Sequence, residues 1–102
     1  MRILIKGAGV AGLTAALELT RRGLAVTVFD TALEIGRGAS WFAGGMLAPW
    51  CERESAEQAV LDLGQSALGW WEEATPGLVS RNGTLVVAPA RDRAELSRFA
   101  SR

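Results

Sequence analysis

Residues 2–6, Arg-Ile-Leu-Ile-Lys, open the chain with a short apolar run of strand length. A run of this kind fits a buried parallel strand. From Val10 to Arg22 the period lengthens. Leu13, Ala16, Leu17 and Thr20 recur at three- and four-residue spacing, which predicts a helix with one face against a sheet. Gly23 is placed to end that helix in a left-handed conformation. Ala25–Phe29, rich in Val, Thr and Phe, predicts a second buried strand, and Asp30 closes it.

Thr31 to Gly38 reads as a loop. Ser40 is placed to cap a short helix that Pro49 helps to end. Ser55-Ala56-Glu57-Gln58 fits a capping box, because Gln58 stands three residues after Ser55. The helix it opens is expected to run to about Ala74. Ala59, Val60, Leu63, Ala67, Trp70 and Trp71 line one side of it. Thr75-Pro76-Gly77 breaks the helix. Leu78 to Arg81 and Thr84 to Ala88, joined by Asn82-Gly83, predict a β-hairpin with a type I′ turn. Asp92 and Glu95 mark a last helix that runs to Arg102. An end inside a helix is what a cut chain would show. The pattern sums to an α/β chain: the βαβ part of a Rossmann-like domain, then a helix and a hairpin. We expect one segment over 1–74 and the start of another over 75–102.

The glycines of the first turn carry the chemistry. Gly7-Ala8-Gly9-Val10-Ala11-Gly12 lies directly between the first strand and the helix. In this setting Gly7 permits the sharp turn, Gly9 lets a pyrophosphate approach the backbone, and Gly12 lets the helix lie on the sheet. The helix N-terminus offers unpaired N–H groups and the positive end of its dipole to a phosphate. A carboxylate at Asp30 suits the hydroxyls of an adenosine ribose and disfavours a 2′-phosphate. The pattern therefore predicts a site for the ADP half of a dinucleotide and leaves FAD and NAD both open. A second glycine cluster, Gly44-Gly45-Met46, follows Trp41-Phe42-Ala43. It suits either close backbone approach to a flat or anionic group or a plain surface loop. Trp70-Trp71 reads as packing between helix and sheet, not as a ligand platform.

Composition narrows the field. The 102 residues suffice for one small domain with a modest core, and the formal net charge is zero, which argues against a nucleic-acid surface. Lys6 interrupts the N-terminal apolar run, so a secretion signal is not expected. No apolar stretch approaches the roughly 20 residues of a membrane span. Cys51 has no partner for an internal disulfide and no histidine to activate it; a reducing, cytoplasmic setting is expected. The chain has neither histidine nor tyrosine, so common proton-transfer side chains are missing. Any reaction must then rest on a cofactor or on groups elsewhere. No residue here is assigned a catalytic role, and no metal site is expected.

Gly7 to Asp30 joined to Gly38-Ala39-Ser40 and Ala43-Gly44-Gly45-Met46-Leu47-Ala48-Pro49 resembles the start of FAD-dependent amino-acid oxidases. The match is to the D-amino-acid oxidase superfamily and within it to the glycine oxidase branch of thiamine biosynthesis. Asn82 to Ala88 resembles the opening of the substrate domain in that family. The resemblance implies FAD as cofactor. It places Gly7, Gly9, Val10, Ala11 and Gly12 around the pyrophosphate and Asp30, where the family usually has Glu, on the ribose. Arg37, Gly38, Ala39 and Ser40 would line the phosphate and ribityl path. Gly44, Gly45 and Met46 would approach the flavin ring. It also implies oxidation of glycine or another small amino acid to the imino acid, with oxygen as acceptor. It places the family's substrate-binding arginine and tyrosine beyond residue 102. The alternatives are a non-catalytic flavoprotein remnant and an NAD-binding module. For the latter, Gly44-Gly45-Met46 would have no use. An incomplete sheet with an open edge favours self-association.

Overall fold

A computed structural model describes residues 1–52 and 57–101. The chain divides into two compact units, Met1–Gly45 and Met46–Arg102. The first unit is a βαβ motif. Strand β1 (Arg2–Lys6) leads through the glycine turn into helix α1 (Val10–Arg21), and β2 (Ala25–Phe29) follows. The strands are parallel, with Ile3 opposite Val26 and Ile5 opposite Val28. Ile3 and Ile5 are half-covered, whereas Leu4, on the other face, is exposed. One face of the sheet thus carries the helix, as strand alternation requires.

The end of α1 follows its sequence signal. Gly23 takes φ +81°. The Gly23 N–H donates to Thr20 O at 2.9 Å and the Leu24 N–H to Leu19 O at 3.1 Å. This bond pair is the Schellman arrangement, which satisfies carbonyls the helix would otherwise leave bare. Beyond β2 a loop leads to a 3-10 turn at Ala39–Phe42.

The second unit opens with a 3-10 turn at Pro49–Glu52, followed by α2 (Gln58–Gly64) and α3 (Ala67–Ala74). A single helix to Ala74 was expected; the structure breaks it at Gln65-Ser66. The Ser66 hydroxyl donates to Leu63 O at 3.1 Å, the local bonding by which serine competes with a helix ladder. The break also changes the inward face. Leu61 is buried, whereas Val60 and Leu63 are exposed. Gly64, one turn after Leu61, faces Pro49 so closely that a Cβ there would lie 2.6 Å from the proline Cβ. The Ser55-Ala56 half of the expected capping box lies outside the described residues. The N-cap residue Glu57 makes no side-chain capping bond.

Trp70 and Trp71 pack edge to face, with centroids 5.0 Å apart. The Thr75 hydroxyl closes α3 by donating to Trp71 O at 2.7 Å. With Pro76 second and Gly77 at φ +78° third, Thr75 to Leu78 forms a type II turn.

The expected hairpin over 78–88 is not formed. No strand is assigned there, and although Gly83 has φ +73°, Asn82 has no positive φ, whereas a type I′ turn needs it at both central residues. Two physical causes are visible. Leu78, Leu85 and Val87 have nothing to pack against and stay exposed, and a lone two-stranded hairpin without a buried face is marginal in water. Arg81 is instead drawn onto α3, where both its Nε and its Nη2 donate to the Glu72 carboxylate. A 3-10 turn (Ala90–Asp92) and α4 (Arg93–Ala100) complete the described chain.

Candidate functional site

The glycine turn is built by steric exclusion. Gly7 takes φ +110°, a conformation that side chains resist, and its N–H donates to Phe29 O at 2.8 Å. A Cβ on Gly12 would sit 1.9 Å from Gly7 O and 3.3 Å from Ile5 Cγ2. Only glycine therefore lets α1 start this close to the turn and the sheet. Gly9 differs: a Cβ there would meet only Ser40, at 3.0 Å from its hydroxyl oxygen.

Ala8, between those glycines, is one of two buried apolar residues among those described. Its peptide groups are held from two sides. The Ala8 N–H donates to Asp30 Oδ2 at 2.7 Å, and Ala8 O accepts from the Gly36 N–H at 2.9 Å. Asp30 Oδ1 accepts from the Ala32 N–H at 2.9 Å. These amides, Ala32 first and Ala8 next, hold the Asp30 carboxyl below the usual carboxylate range. The Thr31 amide and hydroxyl act on the same carboxylate in the same direction, more weakly.

Ser40 stands beside the helix start. Its hydroxyl accepts from the Val10 N–H at 2.9 Å. It was expected to cap its own short helix; it lies inside that 3-10 turn, whose N-cap is Gly38, and serves α1 instead. The N–H groups of Ala11 and Gly12, also in the first turn of α1, have no carbonyl one turn earlier to bond. Arg37 is aimed by two neighbours. Its Nε donates to Glu34, and its guanidinium lies 3.9 Å from the centroid of the Trp41 ring.

The structure thus gathers Gly7, Ala8, Gly9, Val10, Gly12, Asp30 and Ser40 at one turn of the first unit. Gly44 and Gly45 lie in an irregular stretch of that unit, where Gly45 has φ +71° and a Cβ on Gly44 would meet nothing. Met46 begins the second unit and is exposed. Sequence reasoning missed Gly36, whose φ of +77° lets its N–H turn onto Ala8. Its only signal was a glycine following Glu34-Ile35. It also missed Glu34 and Trp41 as partners of Arg37. Among the described residues no group of side chains suits a metal ion, and no helix is long and apolar enough to cross a membrane.

A strand, a glycine turn and a helix that opens on it, with an acid closing the next parallel strand, define a Rossmann-type nucleotide-binding protein. Residues 2–102 match the model of the FAD dependent oxidoreductase (DAO) family, and the chain belongs to that family. Its cofactor class is accordingly FAD. A Rhizobium etli protein provisionally named thiamine biosynthesis oxidoreductase ThiO is 64% identical over the whole chain, which covers 31% of that protein. Glycine oxidase of Pseudomonas aeruginosa is 48% identical over 47% of the chain, or 13% of its own length. A D-amino acid dehydrogenase of Cereibacter sphaeroides is 34% identical over 94% of the chain, or 20% of its own length. The chain therefore spans a third or less of these relatives. No solved structure matches it.

Proposed function

We propose that this chain forms the part of an amino-acid oxidoreductase that holds the ADP half of FAD. The observation that carries this reading is the turn itself. Gly12 is pressed against Gly7 O, and a Cβ on Gly9 would crowd the Ser40 hydroxyl that caps the Val10 N–H, so both glycines keep the helix start close to the turn. Folding accounts for both glycines; the N–H groups of Ala11 and Gly12, which have no helical carbonyl to bond, are what a phosphate would meet. The residues present fit the cofactor in kind. Gly7, Gly9, Val10, Ala11 and Gly12 would present backbone to the pyrophosphate, and the Asp30 carboxylate would accept from ribose hydroxyls. Arg37, Gly38, Ala39 and Ser40 would follow the phosphates. Gly44, Gly45 and Met46 would come near the ring, where backbone donors would favour added negative charge.

When bound, FAD would supply the two-electron redox chemistry of the reaction. We assign an amino acid as substrate because the relatives named glycine oxidase and D-amino acid dehydrogenase share that class. Glycine as substrate and oxygen as acceptor are favoured by the likeness to a protein named glycine oxidase, and a place in thiamine biosynthesis by the likeness to ThiO. Residues 75–102 are taken as the start of the substrate-binding part. A cytoplasmic setting rests on the lone Cys51.

Ligand competition tests the reading. The purified protein should take up FAD; ADP should displace it, while FMN, which lacks the adenylate half, should not. Displacement by FMN but not by ADP would overturn the assignment of the turn. With no catalytic residue assigned to these 102 residues, glycine should yield no peroxide. Measurable turnover would show that the catalytic groups had been misplaced.

A further inference from the structure

Ala8 is the point at which the glycine turn is fixed. Its amide nitrogen is taken by Asp30 and its carbonyl by Gly36. The Asp30 carboxylate is itself oriented by the Ala32 amide two residues on, an Asx-type bond available only to a short side chain. One carboxylate therefore ties the end of β2 to the turn that leaves β1.

We propose that Asp30 is a positioning residue for the glycine turn, clamping the Ala8 amide so that the turn is preformed before any phosphate arrives. This role is distinct from accepting ribose hydroxyls. It deepens the proposed cofactor reading, on which its consequence for phosphate affinity rests. A preformed turn lowers the ordering cost of binding. Its backbone donors then meet the phosphate without rearrangement.

The two roles predict opposite results for a ligand without ribose. Replacing Asp30 removes a negative charge near the turn, so simple electrostatics makes an anion bind more tightly. Loss of the clamp makes it bind more weakly. Asp30→Asn keeps an acceptor for Ala32 but can turn an amide donor toward the Ala8 N–H; Asp30→Ala removes both acceptors. Hydrogen exchange at the Ala8 amide reads the clamp directly. The Gly7 amide, which donates to Phe29 O, reports whether the sheet remains folded.

In both variants we expect Ala8 exchange to speed up roughly tenfold relative to Gly7, as loss of a charge-assisted hydrogen bond implies. We expect affinity for inorganic pyrophosphate to fall by a factor of roughly three or more, because the donors are no longer preordered. Unchanged Ala8 exchange beside a protected Gly7, or tighter pyrophosphate binding in both variants, would overturn the proposal. A wild-type protein that bound neither pyrophosphate nor FAD would instead contradict the cofactor reading, and exchange at Ala8 would still decide the clamp.

Discussion

Gly12 and Gly9 stand three residues apart in one turn, and an added Cβ would meet backbone at Gly12 and the Ser40 side chain at Gly9. A methyl group at residue 12 collides with the Gly7 carbonyl, a backbone atom that cannot swing away. Gly12→Ala should therefore destabilise the first unit by about 3 kcal/mol or more, read from denaturant unfolding. Gly44→Ala, with open space and no positive φ, should leave stability nearly unchanged. Ser40→Ala exposes the Val10 N–H and should cost about 1 kcal/mol, the usual worth of a helix cap. Asp30 titrates below the usual carboxylate range when folded, so the stability it contributes is present above the unfolded pKa. That stability is lost as pH falls through the folded value, and the melting temperature should drop across that acidic window more in wild type than in Asp30→Asn. At this scale the sequence was legible where a residue's job is set by its immediate neighbours: Gly7, Gly12, Gly23. It was not legible where the partner lies far along the chain, as with Ser40 and Val10 or Gly36 and Ala8.

The elements divide along the same line. β1, α1 and β2 were readable because period, stop signal and strand composition agree over each of them, and their packing on one another enforces the same choice. The apolar spacing continues through Gly64-Gln65-Ser66 and so predicts one long helix, yet the chain turns there. The hairpin failed for want of a surface to cover it, which a local turn signal cannot reveal. Two glycines in the same region separate these effects. Gly64→Ala drives a methyl into Pro49 and should destabilise the second unit by about 1–3 kcal/mol. Gly69→Ala, inside α3 with open space, should stabilise it by roughly 0.5–1 kcal/mol. Thermal unfolding of the two variants, measured side by side, should move in opposite directions.

For the molecule as a whole, family membership and the local geometry support the same claim by independent routes. The chain belongs to the FAD dependent oxidoreductase family, and its first unit builds a tight glycine turn that opens a helix. The glycine fingerprint alone left FAD and NAD open. Gly44-Gly45-Met46 inclined the reading toward FAD, and the family match agrees. The absence of histidine and tyrosine still directs the search for substrate chemistry away from these residues. The most direct test is equilibrium FAD binding by wild type and Gly9→Val, followed by flavin absorbance. The account predicts saturable uptake by wild type and none by the variant, whose added side chain would crowd Ser40 and the helix start on which the pyrophosphate would rest. A variant that binds FAD with wild-type affinity, or a wild-type protein that takes up none, would contradict it.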